Sequence, residues 1–154
     1  MRLDDRFTIT AAPDEAFERL LDLRNVAPCV PGGEVEEPDA NGVHPGRVTV
    51  RLGPLRFAYE GTLRIAERDP ESRRAVIEGS GIAGGGRESA RVRSVMQVTA
   101  EGDGSLVTIE TELDIRGRAA QMGAGIIGAV SQQMVKQTAK CLEARLGQGA
   151  TVSS

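Results

Sequence analysis

The feature that most constrains this chain is a change of hydrophobic period. From about residue 35 to residue 116 apolar side chains recur at every second position, and after Gly117 they recur every three or four. The first pattern buries one face of a strand and the second buries one stripe of a helix. The clearest strand signal sets Val107, Ile109, Thr111, Leu113 and Ile115 against Thr108, Glu110, Glu112 and Asp114. Val48, Val50 and Leu52 alternate with Arg47, Thr49 and Arg51. Phe57, Tyr59, Gly61, Leu63 and Ile65 alternate with Arg56, Glu60, Thr62 and Arg64. Residues 74–82 and 90–99 read as two further strands. Gly53-Pro54, Asp69-Pro70-Glu71-Ser72, Gly84-Gly85-Gly86 and Gly102-Asp103-Gly104 punctuate the pattern as turns. Six successive strands with short turns pair antiparallel. Their polar outer face meets water, and their inner face needs a cover.

The flanking segments supply one. Residues 2–10 alternate as a first strand, with Asp5 falling on the apolar side. Ala12-Pro13-Asp14-Glu15 is a helix start, and Ala16, Phe17, Leu20 and Leu21 form its apolar face. Asn25 is positioned to cap a second short helical turn before the turn Cys29-Val30-Pro31-Gly32-Gly33. After Gly117, Met122, Ile126, Val130, Met134, Thr138, Cys141 and Leu142 lie along one stripe. This predicts one long helix over 119–146, near 40 Å at about 1.5 Å per residue. Gly147 is expected to end it, leaving 148–154 as a flexible tail. The expected fold is α+β: a seven-stranded curved antiparallel sheet wrapped around the long C-terminal helix, with two short helices between strands 1 and 2. Residues 1–147 make a single domain.

Composition removes several functions. A net charge of -3 gives no electrostatic reason to expect nucleic acid. No apolar run approaches the roughly 20 residues of a membrane span, and the charged start is no signal peptide. Cys29 and Cys141 lie far apart, with no metal spacing and no disulfide framework; a reducing, cytoplasmic location is expected, with Cys29 a small buried hydrophobe. His44 is the single histidine, expected to face solvent, so no metal site and no cofactor are expected. Two G-x-G-x-x-G matches, 79–84 and 123–128, lack the strand-to-helix context of a nucleotide site. The first runs into another strand and the second lies inside the long helix, where its glycines imply either a close approach to a neighbouring surface, the preferred reading, or a helix end that can open. Glu60, Glu78, Glu110, Glu112 and Asp114 are all expected outward, so no catalytic residue is assigned. The chain has 19 glycines and four aromatics, Phe7, Phe17, Phe57 and Tyr59. Such a core is aliphatic or incompletely filled. Nine glycines, in 79–86 and 117–128, are expected to form one rim of a cavity. Tyr59 is expected to point inward, where its hydroxyl needs a backbone, water or ligand partner.

The order of elements resembles the helix-grip (SRPBCC) superfamily of START lipid-transfer domains, birch-pollen-type allergens and polyketide cyclases. Within it, several stretches resemble the CoxG family associated with carbon monoxide dehydrogenase. They are Ala12 to Phe17 with Leu20 to Asp22, Val26 to Gly32, Gly46 to Pro54, Phe57 to Gly61, Gly79 to Gly86 and Gly117 to Gly123. The resemblance implies a cavity between sheet and helix that takes an apolar molecule, quinone- or lipid-like. It also implies an accessory or recruitment role for a carbon monoxide dehydrogenase-type molybdenum hydroxylase. Some members carry a long extension to the membrane; here the sequence ends at Ser154, so self-contained anchoring is not expected, whereas peripheral membrane contact is compatible. The residues expected to line the cavity are Val48, Val50, Leu52, Phe57, Tyr59, Leu63, Met96, Met122, Ile126 and Val130. Two other readings stand beside this one: a cyclase- or hydrolase-like enzyme acting through Tyr59, and an assembly factor without a ligand.

Overall fold

A computed structural model describes the backbone of residues 1–153 and the side chains of residues 1–145. Strand β1 (Arg2–Ile9) leads into helices α1 (Pro13–Leu21) and α2 (Leu23–Val26). Six strands follow: β2 (Gly33–Val35), β3 (His44–Leu52), β4 (Leu55–Asp69), β5 (Arg74–Ala83), β6 (Glu88–Glu101) and β7 (Gly104–Arg116). Helix α3 (Ala124–Ser153) closes the order. All seven strands form one antiparallel sheet in the order β1-β7-β6-β5-β4-β3-β2, so every pair except β1–β7 is a sequence neighbour. The sheet curls, and a register shift between Ile65 and Glu67 bends β4.

Local chemistry explains the short helices. Pro13 opens α1, the Ala16 amide donates to the Ala12 carbonyl at 2.8 Å, and Asp14 and Glu15 stand in the first turn. Helix α2 begins at Leu23 with Asp22 at its N-cap position; Asn25 lies inside it and bonds back to the Asp22 carboxylate. Asn25 therefore does not cap this helix; Asp22 holds the N-cap position without a side-chain cap, its backbone carbonyl accepting from the Asn25 and Val26 amides at 3.0 Å.

The buried side chains form two clusters at opposite ends of the strands. One joins Phe17, Leu20 and Leu21 of α1 to Ala75, Met96, Val98 and Val107. The other gathers Leu52, Phe57, Tyr59, Ala83 and Ala119. The packed ends leave the middle of the concave face to the cavity described below.

Three expectations need correction. The first concerns the long helix. Residues Arg118–Met122 form a 3-10 turn, and α3 starts only at Ala124. Gly123 between them has φ 88°, a left-handed conformation that side-chain-bearing residues rarely adopt, and it resets the helical phase. Ile126 therefore turns outward, 44% exposed, and Ile127 takes the buried position at 5%. At the far end α3 continues through Gly147, since one glycine costs a helix about 1 kcal/mol without breaking it. The second concerns Cys29 and Cys141, which are joined as a disulfide, their Cα atoms 5.4 Å apart. The fold brings the 3-10 turn Ala27–Cys29 under α3, a proximity hidden by a sequence separation of 112. The inference of a reducing compartment from unpaired thiols loses its basis. The third concerns the helix glycines. A Cβ at Gly125 would meet nothing within 4 Å, and one at Gly128 only Leu3 Cδ2 at 3.9 Å, so no close approach demands them.

The C-terminal half of α3 is held firmly instead. Besides the disulfide, the Thr10 hydroxyl donates to Glu143 at 2.9 Å, and Arg145 donates to the Asn25 carbonyl at 2.7 Å. Asp5, the acid on the apolar side of β1, accepts from Ser131 Oγ at 3.2 Å. His44 is half-buried, its Nδ1 2.8 Å from the Glu36 carbonyl oxygen, rather than simply facing solvent. Among the described residues no helix is long and apolar enough to cross a membrane.

Candidate functional site

Strand pairing places a row of very small residues across the concave face. Val35 faces Gly46, Gly46 faces Gly61, Gly61 faces Gly81, Gly81 faces Ala90, and Ala90 faces Ile115. Three neighbouring strands thus present glycine at the position where side chains would otherwise fill the space under the helix. Gly61 is also required by close backbone approach: a Cβ there would lie 1.8 Å from the Ser80 carbonyl oxygen.

Above this furrow lies a cavity of about 460 Å³. Its floor is β3 to β7, and its cover is α3 through Ile127, Val130, Met134 and Val135; Leu23, Val26, Ala27 and Val30 close one side. Six of the expected lining residues border it: Val48, Val50, Leu52, Tyr59, Leu63 and Val130. The other four do not. Phe57 packs behind Tyr59 in the cluster at one end, ring centroids 6.2 Å apart, and Met122 packs against that cluster. Met96 is buried in the opposite cluster, and Ile126 has turned to solvent. For Phe57 and Met96 the cause is common: inward parity places a side chain on the concave face, and its position along the strand decides whether it meets helix, helix end or void. Met122 lies in the 3-10 turn ahead of Gly123, off the helix stripe. Of the nine glycines expected at a rim, only Gly79 and Gly81 border the cavity; Gly33, Gly46 and Gly61 complete the set.

Polar groups around the cavity are few and mostly paired. Thr111 shares a 2.8 Å hydrogen bond with Ser94, its register partner, and Ser131 donates to Asp5. Arg47 and Glu34 at the sheet edge pair with each other at 2.7 Å, both more than half exposed. Tyr59 is different. It is 7% exposed, and among the described residues its hydroxyl has no hydrogen-bond partner. Burial pushes its phenol above the ordinary tyrosine value, and the Glu88 carboxylate adds to the shift. The hydroxyl therefore keeps its proton and remains a donor.

Glu88 itself escaped the sequence reading. It is 5% exposed, and its carboxylate accepts from the Arg118 amide at 2.7 Å and the Ala119 amide at 3.3 Å. It pins the 3-10 turn ahead of α3. The signal was parity: Ala90, Val92, Ser94 and Met96 face inward, and stepping back two places reaches Glu88. Among the described residues no group of three or more His, Cys, Asp or Glu is arranged to hold a metal ion.

Solved structures with this architecture are numerous. A conserved protein from Geobacillus kaustophilus superposes with TM-score 0.83 at 13% identity, covering 96% of each chain. The Zhui aromatase/cyclase from Streptomyces sp. R1128 superposes with TM-score 0.64 at 14% identity, covering 94% of this chain and 92% of its own. Ara h 8.0201 gives TM-score 0.63 at 14% identity, covering 96% and 98%. At such identities the likeness establishes the helix-grip fold alone. Comparison with curated protein sequences gives no match. A sequence model of the carbon monoxide dehydrogenase CoxG family matches residues 6–147, and since that is nearly the whole chain, this protein belongs to the CoxG family.

Proposed function

We propose that this protein binds a hydrophobic small molecule, quinone- or lipid-like, between sheet and helix. The observation that carries this reading is the cavity of about 460 Å³, walled almost entirely by aliphatic side chains and glycine backbone. Its size lies within the range of about 300–1,000 Å³ common for small-molecule sites. Val48, Val50, Leu52, Tyr59, Leu63 and Val130 are the proposed contacts. An apolar void of this volume forfeits packing contacts at every wall atom, and an apolar occupant restores them. Membership of the CoxG family supports the finer reading: an accessory or recruitment factor for a carbon monoxide dehydrogenase-type molybdenum hydroxylase.

Native mass spectrometry and solvent extraction of the purified protein test the binding. A co-purifying lipophile, or saturable uptake of one after delipidation, is the expected result; failure of both removes the reading. The recruitment role is tested separately by pull-down, which should retain a component of a molybdenum hydroxylase.

A further inference from the structure

The cavity is apolar, but it is not featureless. Tyr59 borders it, and among the described residues its hydroxyl is the one buried side-chain polar atom without a hydrogen-bond partner; the residue belongs to the packed cluster with Leu52, Phe57, Ala83 and Ala119 at one end. A buried hydroxyl without a partner is unfavourable, and a phenol that retains its proton satisfies itself by donating. Among the described residues lining the cavity, Thr111, Ser131, Arg47 and Glu34 are paired and Thr62 and Ser80 are exposed, so Tyr59 is the buried polar group left to fix an occupant's orientation.

Resting on the binding reading above, we infer that the ligand is an uncharged lipophile carrying a hydrogen-bond acceptor oxygen, and that Tyr59 donates to that oxygen at the Phe57–Ala119 end of the cavity. The sign of charge follows from what surrounds the phenol. No free cation lines the cavity among the described residues, since Arg47 is engaged by Glu34. The buried Glu88 carboxylate acts on Tyr59 and is already held by two backbone amides. A ligand carboxylate brought to Tyr59 would meet a second negative charge in a poorly screened interior. A carbonyl or ether oxygen accepts the same hydrogen bond without that repulsion. Tyr59 is then a specificity-determining contact: the aliphatic walls take any apolar body of suitable size, and the phenol selects which end enters first.

Three probes of one shape separate these statements: benzophenone, with a neutral acceptor; diphenylmethane, with none; and diphenylacetate, with a carboxylate. Their affinities are measured on the full chain and on Tyr59→Phe, whose ring occupies the same space and whose folding is checked by circular dichroism. Wild type should bind both neutral probes and bind diphenylacetate at least tenfold more weakly than benzophenone. Tyr59→Phe should weaken benzophenone about 3- to 10-fold, the net worth of one neutral hydrogen bond, and leave diphenylmethane within twofold. An equal effect of the substitution on both neutral probes, or none on either, overturns the role of Tyr59 while leaving the cavity reading intact. Equal binding of diphenylacetate and benzophenone overturns the requirement for an uncharged ligand. Failure of wild type to bind any of the three overturns the cavity reading itself and this inference with it.

Discussion

At the scale of single residues, the cavity owes its existence to side chains that are missing. Gly46, Gly61 and Gly81 stand in register across β3, β4 and β5, and a helix resting on larger residues at its two ends bridges the furrow between them. The glycines are not equivalent. A methyl group at Gly61 would collide with the Ser80 backbone, which cannot yield without moving a strand. At Gly79 the nearest atoms are side-chain methyls, Leu63 Cδ1 at 3.1 Å and Val92 Cγ2 at 3.2 Å, which can turn aside. Gly61→Ala is therefore expected to cost about 1–3 kcal/mol in urea unfolding, and Gly79→Ala less than about 1 kcal/mol. Equal midpoints for both variants would contradict the close approach at Gly61. Alternation along β4 already marks Gly61 as inward in the sequence. That it faces two other glycines depends on register, which no single strand's pattern contains.

At the scale of elements, α3 divides into unlike halves. Beyond Ser131 it is tied to Thr10 just past β1, to α2 and to the turn at Cys29. Before Ser131 it carries Gly125 and Gly128, whose missing side chains no neighbour requires. Substituting both by alanine should stabilise the helix by up to about 1 kcal/mol per site and slow amide hydrogen exchange over residues 124–131. Unchanged exchange there would show that tertiary contacts, not helix propensity, set the stability of this half. The helix itself was plain in the sequence from the 3.6-residue period. Its phase was not. A single left-handed residue, Gly123, separates Met122 from the stripe it seemed to begin and exchanges Ile126 for Ile127 at the buried position. Extrapolating a period across a glycine assumes helical angles that glycine has no obligation to keep.

At the scale of the molecule, strand order was legible because five of the six strand pairings join sequence neighbours, and helix placement because the inner face of such a sheet needs a cover. The cystine was not, because Cys29 and Cys141 stand 112 residues apart and their proximity exists only in the tertiary structure. On chain-entropy grounds, closing a loop of this length stabilises by roughly 4–5 kcal/mol. Dithiothreitol should therefore lower the guanidinium midpoint of the wild-type protein and leave that of Cys141→Ser unmoved; coincident wild-type curves would show the two sulfurs unlinked in solution. The same bond changes how the chain bears a mechanical load. Oxidised, the molecule is a lasso: residues 29–141, with β2 to β7 and the furrow between them, form a closed ring. Tension applied at the two ends passes from Cys29 to Cys141 through the sulfurs. It can strip β1 and α1 away from the ring, but it cannot extend the strands that hold the cavity until the ring is cut or reduced.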